Sequence, residues 1–73
     1  MKQEITNIFK LRVFVTVVDE GSFSAAVKKL HISQPALSLQ LKKLEERLGC
    51  ELLERTARGV RPTAIGKLVY EMS

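Results

Sequence analysis

A chain of 73 residues hides only about 60% of its unfolded surface on folding, enough for one core of three or four short elements and too little for a two-lobed enzyme or a separate substrate domain. Hydrophobic residues at 45% and charged residues at 27% exclude disorder by composition, and the lone Cys50 excludes an internal disulfide and fits a reducing compartment. Twelve Lys and Arg against eight Asp and Glu give a net charge of +4, which favours a polyanionic partner without demonstrating one; no apolar run approaches the ~20 residues of a membrane span and no secretory h-region opens the chain, so the expected location is cytoplasmic.

Residues 1–6 are polar and read as frayed, and Asn7 reads as the N-cap of a first helix. Ile8, Leu11, Phe14 or Val15, and Val18 then recur at helical spacing. The valines at 13, 15, 17 and 18 also suit a strand, but the stripe persists for three turns and Gly21 supplies a stop. Ser22 caps a short second helix over about 23–30, with Phe23, Ala26, Val27 and Leu30 as its buried face. His31 and Ile32 leave room only for a tight turn.

Ser33 opens a third helix over 34–48, with Pro35 in the first turn, where its missing N–H does no harm. Leu37, Leu41, Leu44 and Leu48 form the inward seam; Pro35, Ser38, Leu39 and Lys42 cluster opposite, with Lys43 at the edge. Gly49 ends this helix. A short strand is expected within 51–55 and another over 60–62, joined by a turn at Thr56, Ala57, Arg58 and Gly59. Thr63 caps a fourth helix whose apolar face is Ile65, Leu68, Val69 and Met72. An isolated helix this short is marginal in water, so that face wants a partner.

Two short helices, a tight turn, a longer helix and a basic hairpin spell out a mostly α winged helix-turn-helix: a three-helix core, a two-stranded wing and the start of a linker helix. In that arrangement the second helix of the pair enters the major groove while the first crosses the backbone. The outward residues suit the task. Gln34 can pair bidentately with adenine, Pro35 can meet a thymine methyl, and Ser38 can reach a base or a phosphate. Leu39 fits three readings equally: a thymine-methyl contact, a contact with a neighbouring domain, or a tolerated exposed apolar. Ser22, Lys28, Ser33, Lys42 and Lys43 are candidate phosphate contacts, with the amides opening helix 34–48 as a cradle. Lys29 reads as a solubilising charge.

No acid lies between Glu54 and Glu71, whereas Arg55, Arg58, Arg61 and Lys67 fall in that gap. An arginine on a turn can enter a narrow minor groove, which assigns Arg58 to the wing tip and Arg55 and Arg61 to its base. Arg55 can equally pair with Glu45 or Glu46 and hold the hairpin to the third helix. The main rival function is a protein-interaction module on the same scaffold; Gln34, Ser38, Lys42 and the acid-free stretch speak against it. Cys50 and His31 lie on different elements without a positioned acid, so no catalytic triad is encoded, and one Cys with one His cannot build a structural zinc site. No cofactor is expected.

Leu11, Phe14, Val18, Gly21-Ser22, Ala25-Ala26, Leu30 and the run from Ser33 to Ser38 continue into Gln40, Leu44-Glu45, Leu48-Gly49, Leu52, Arg55, Arg58, Thr63 and Gly66. In this order and spacing the sequence resembles the N-terminal DNA-binding domain of LysR-type bacterial transcriptional regulators over residues 8–73. The resemblance implies a DNA-binding domain over 1–63 and, over 64–73, the start of a linker helix that pairs subunits. It further implies a homodimer or tetramer on an interrupted palindrome in double-stranded DNA. A small-molecule effector would act through a C-terminal domain that this chain does not contain. Two positions depart from the family pattern. Leu39 stands where arginine is frequent, and Leu53 where phenylalanine is common.

Overall fold

The computed structural model describes residues 2–73, with side chains from Ile8 onward. Its elements are α1 (Lys2–Glu20), α2 (Phe23–Leu30), α3 (Gln34–Leu48), β1 (Leu53–Thr56), β2 (Gly59–Pro62) and α4 (Ala64–Glu71). Helix α1 starts upstream of the expected cap. Lys2, Gln3 and Glu4 favour helix and no Gly or Pro interrupts them, so the backbone is helical from Lys2, where fraying was expected, and Asn7 lies inside the helix.

Local chemistry fixes the other helix ends. The Ser22 Oγ accepts the Ala25 N–H at 3.1 Å and the Ser33 Oγ accepts that of Ala36 at 3.2 Å, each capping its helix. His31 closes α2 in the left-handed region at φ 58°, its N–H reaching the Val27 carbonyl. That conformation is uncommon outside glycine, but histidine is among the residues that adopt it most readily. Gly49 closes α3, donating to the Glu45 carbonyl at 2.8 Å.

Val13, Phe14 and Val17 of α1, Ala26 of α2, Leu37, Leu41 and Leu44 of α3, and Leu52 form the buried core. Full burial of a leucine or phenylalanine side chain contributes about 1.5–3 kcal/mol. The phase of α1 differs from the expected stripe. Its buried ridge is 13, 14 and 17, while Leu11, Val15 and Val18 are half-buried and Ile8 is 66% exposed. Leu48, expected in the inward seam, is 47% exposed because the last turn of α3 runs past the core.

The antiparallel strands pair Leu53 with Pro62, Glu54 with Arg61, Arg55 with Val60 and Thr56 with Gly59. The first strand begins two residues later than the expected limit at 51, because the backbone before it is committed elsewhere. Leu52 N–H donates to Glu45 Oε2 at 2.7 Å, and the Leu52 carbonyl accepts the Thr63 N–H at 2.9 Å. The Thr63 hydroxyl donates to the Glu51 carbonyl at 2.7 Å while accepting the Gly66 N–H at 3.0 Å, so one side chain caps α4 and ties it to the wing base. Gly66 is buried where a Cβ would collide with the Leu52 carbonyl oxygen. At the other end of the wing, Gly59 sits at φ 137° against the Gly21 carbonyl, which accepts the Val60 N–H at 3.2 Å. These contacts set the wing beside the helix pair.

Candidate nucleic-acid interface

The α3 surface opposite the core leaves Gln34, Pro35, Ser38, Leu39, Lys42 and Lys43 all exposed. Gln34, Ser38 and Lys42 follow one another at four-residue intervals, one row along the helix, with Pro35 and Leu39 in the adjoining row. Leu39 is 48% exposed. The wing stands beside this surface. A hollow between α3 and the strands is lined by Ser38, Lys42, Phe23 and Arg55 among others. A second, nearer the helix starts, is lined by Ser22, Ser24, Gln34, Arg55, Thr56 and Ala57 among others. Gln34, Ser38, Lys42, Ser22 and Arg55 therefore border two neighbouring hollows that share Phe23, Arg55 and Val60.

The turn that carries Arg58 is held by Thr56, whose hydroxyl accepts the Arg58 N–H and donates to the Gly59 carbonyl, both at 3.3 Å. The Arg58 side chain is exposed at the tip. Arg61 is placed differently. Its Nε lies 2.6 Å from Glu54 Oε1 across the wing, so a carboxylate offsets its charge. Lys28 is exposed on α2, and neighbouring Lys29 pairs with Glu20 at 3.5 Å.

The alternative pairing of Arg55 with Glu45 or Glu46 does not form. The Glu45 carboxylate instead accepts the Leu52 N–H at 2.7 Å and, more weakly, the Leu53 N–H at 3.4 Å. Arg55 lies over the Phe23 ring, 4.6 Å from its centroid. Glu45 thus does fasten the hairpin to α3, through backbone amides. The amide cradle at the start of α3 is also narrower than the sequence suggested. Pro35 has no N–H, and those of Ala36 and Leu37 are taken by the Ser33 Oγ and carbonyl. Of the first amides, that of Gln34 remains, and the Ser33 hydroxyl hydrogen can still be donated.

Ser24 and Phe23 line the hollow beside Gln34 and Arg55, and the sequence reading did not place them there. Ser24, an exposed hydroxyl one residue into α2, was visible as a polar residue beside the cap; Phe23 was read only as core, since nothing in its spacing marks a ring that carries a guanidinium. Leu53, where the family pattern commonly has phenylalanine, is half-buried against the core. Among the described residues no three His, Cys, Asp or Glu side chains gather as a metal site, and no helix is long and apolar enough to cross a membrane.

A capped helix, a tight turn, a longer helix with a polar outward face and a two-stranded wing alongside define a winged helix-turn-helix, a DNA-reading class of domain. Residues 8–67 match the bacterial regulatory helix-turn-helix proteins of the lysR family. The chain belongs to that family and carries its helix-turn-helix DNA-binding module. It is 50% identical over 64 residues to the nitrogen assimilation regulatory protein nac of Klebsiella aerogenes, covering 88% of this chain and 21% of that protein. The transcriptional regulator BenM of Acinetobacter baylyi is 52% identical over 61 residues, covering 84% of this chain and 20% of BenM. The chain thus spans about a fifth of the length of these relatives. A crystal structure of the BenM DNA-binding domain with benA site 1 DNA superposes with a TM-score of 0.81 at 51% identity, covering 86% of this chain and 73% of that one.

Proposed function

We propose that this chain binds double-stranded DNA sequence-specifically as the reading module of a LysR-type transcriptional regulator. Helix α3 enters the major groove with Gln34, Pro35 and Ser38 at base edges, and Leu39 reaches the same groove. Ser22, Lys28, Ser33, Lys42 and Lys43 meet phosphates, and the wing carries Arg58 to the minor groove with Arg55 and Arg61 behind it. The observation that carries this reading is the pair of neighbouring hollows lined by the polar row of α3 together with residues of the wing. Residues 1–63 form the reading unit and 64–73 begin a linker helix. The apolar face of Ile65, Leu68, Val69 and Met72 pairs with a second subunit. The full regulator acts in the cytoplasm as a homodimer or tetramer on an interrupted palindrome and answers a small-molecule effector through a further domain.

The test is selection of bound duplexes from a random pool, followed by titration of the selected duplex at rising salt. One enriched sequence and a log–log slope of about −0.9 per phosphate engaged are expected. A pool that stays random, or an affinity indifferent to salt, overturns the reading.

A further inference from the structure

Arg55, the Phe23 ring beneath it and Val60 are common to both hollows. Phe23 and Arg55 each line the hollow that opens on Ser38 and Lys42 and the hollow that opens on Gln34 and Ser22. The pair therefore stands where the two hollows meet, beside Val60. Two carboxylates border this place and neither is engaged with Arg55. Glu45 receives the Leu52 amide at 2.7 Å, and Glu54 receives Arg61 at 2.6 Å. Among the described residues the ion pairs are Lys29 with Glu20 and Arg61 with Glu54. A positive charge thus stands in the middle of the interface, held by a ring and left without a carboxylate.

An arginine in water loses side-chain freedom when it is fixed. A ring face that attracts the guanidinium takes part of that loss before any ligand arrives. Arg55 is exposed, and a guanidinium held over a ring keeps N–H donors of the kind that pair bidentately with phosphate oxygens. Arg55 also lies back from the wing tip, because the Thr56–Gly59 pair separates it from the turn that carries Arg58.

We propose that Phe23 is a positioning residue: it holds the Arg55 guanidinium over its ring, where the two hollows meet, ready for a DNA backbone phosphate. The proposal rests on the DNA-binding reading and moves Arg55 from the minor groove to the backbone. It makes the first residue of α2 part of the phosphate-binding apparatus, although its side chain reaches no nucleotide.

The experiment uses the 73-residue chain with a duplex selected from a random pool and a scrambled duplex of the same length. Arg55→Gln should lower the salt slope by about 0.9, one phosphate, and weaken both duplexes alike. Phe23→Leu, or Phe23→Met should the first not fold, should weaken binding about threefold to tenfold. Phe23→Tyr, which keeps the ring, should restore it. In an Arg55→Gln background the aliphatic variant should cost nothing further, whereas a purely structural role would cost the same in both backgrounds and overturns the positioning. An unaltered chain that binds with its salt slope, beside an Arg55→Gln chain with the same slope and affinity, overturns this inference alone. Loss of salt-dependent binding by the unaltered chain overturns the DNA reading and this inference with it.

Discussion

Gln34 and Ser38 lie one turn apart on the exposed row of α3, and neither side chain is needed by the fold, since the caps and seam of α3 are supplied by Ser33, Gly49 and the leucines. Their replacement by alanine should therefore leave thermal stability nearly unchanged and act on recognition. A good bidentate base contact is worth about 1–3 kcal/mol of discrimination, so Gln34→Ala should cost the selected duplex about tenfold or more and the scrambled duplex little. Parallel fluorescence titrations of both duplexes check this; equal losses would mean that these residues hold backbone only. Tyr70 makes a second residue-level case. Its hydroxyl donates to the Asp19 carboxylate, joining α4 to α1. That hydrogen bond first, then the carboxylate charge, then burial, push the phenol above its ordinary value of 10.0. The neutral phenol therefore stabilises the fold fully below the unfolded value near 10, and this contribution is lost as pH rises through the higher folded value. The chain has one tyrosine and no tryptophan, so phenolate absorbance reports this group alone. Its midpoint should lie higher in the folded chain than in denaturant, and Asp19→Ala should bring the two together.

The elements differ in how openly the sequence announces them. Helices α2 and α3 have the expected bounds because their signals are local: Ser22 and Ser33 as caps, Pro35 in a first turn, Gly49 at a stop. The phase of α1 was not legible. Apolar residues at 8, 11, 13, 14, 15, 17 and 18 cover most of a helix, and which ridge turns inward is decided by the α3 seam it must meet. The wing's first strand was missed at its start for a similar reason. Its boundary depends on Glu45, eight residues before its first residue, whose carboxylate takes the Leu52 and Leu53 amides. Opposite charges at 45 and 55 suggested an ion pair. A carboxylate can serve backbone donors instead, and that choice belongs to geometry rather than to sequence. It also makes Glu45 the clasp between the reading helix and the wing. Glu45→Ala should cost about 1–3 kcal/mol for the amides it strands. Amide hydrogen exchange should quicken at Leu52 and Leu53 more than in the α3 seam, and Glu45→Gln, which keeps an acceptor oxygen, should recover part of both effects. Unchanged exchange at those two amides would show that the wing is held by Thr63 and Gly59 alone.

On the scale of the whole molecule, polar and apolar surfaces occupy different places. The interface row and the wing carry Lys42, Arg55, Arg58 and Arg61, whereas α4 leaves Ile65, Leu68 and Met72 exposed, at 48%, 60% and 84%. This apolar surface continues beyond α4. One hollow joins Val69 and Met72 to Leu11, Leu44 and Leu48, and another joins Tyr70 to Ile8, Leu11 and Val15. Leu48 and Ile8, the two residues that the core does not use as the sequence suggested, thus have a common explanation at this scale: both border a surface that a second subunit would cover. Such a patch is larger than scattered surface apolars require. With a two-fold partner it would set two α3 helices on successive faces of one duplex, which is how an interrupted palindrome is read. A version of the protein carrying the whole linker helix should sediment as a dimer or higher oligomer. Leu68→Glu with Met72→Glu should raise its dissociation constant about a hundredfold or more, since each buried apolar side chain lost is worth about 1.5–3 kcal/mol. The isolated α3 row is untouched by these changes, so binding to a single half-site should persist while binding to the full palindrome weakens. A protein that sediments as a monomer with its linker helix complete, or one whose assembly ignores both glutamates, would place the subunit contact elsewhere.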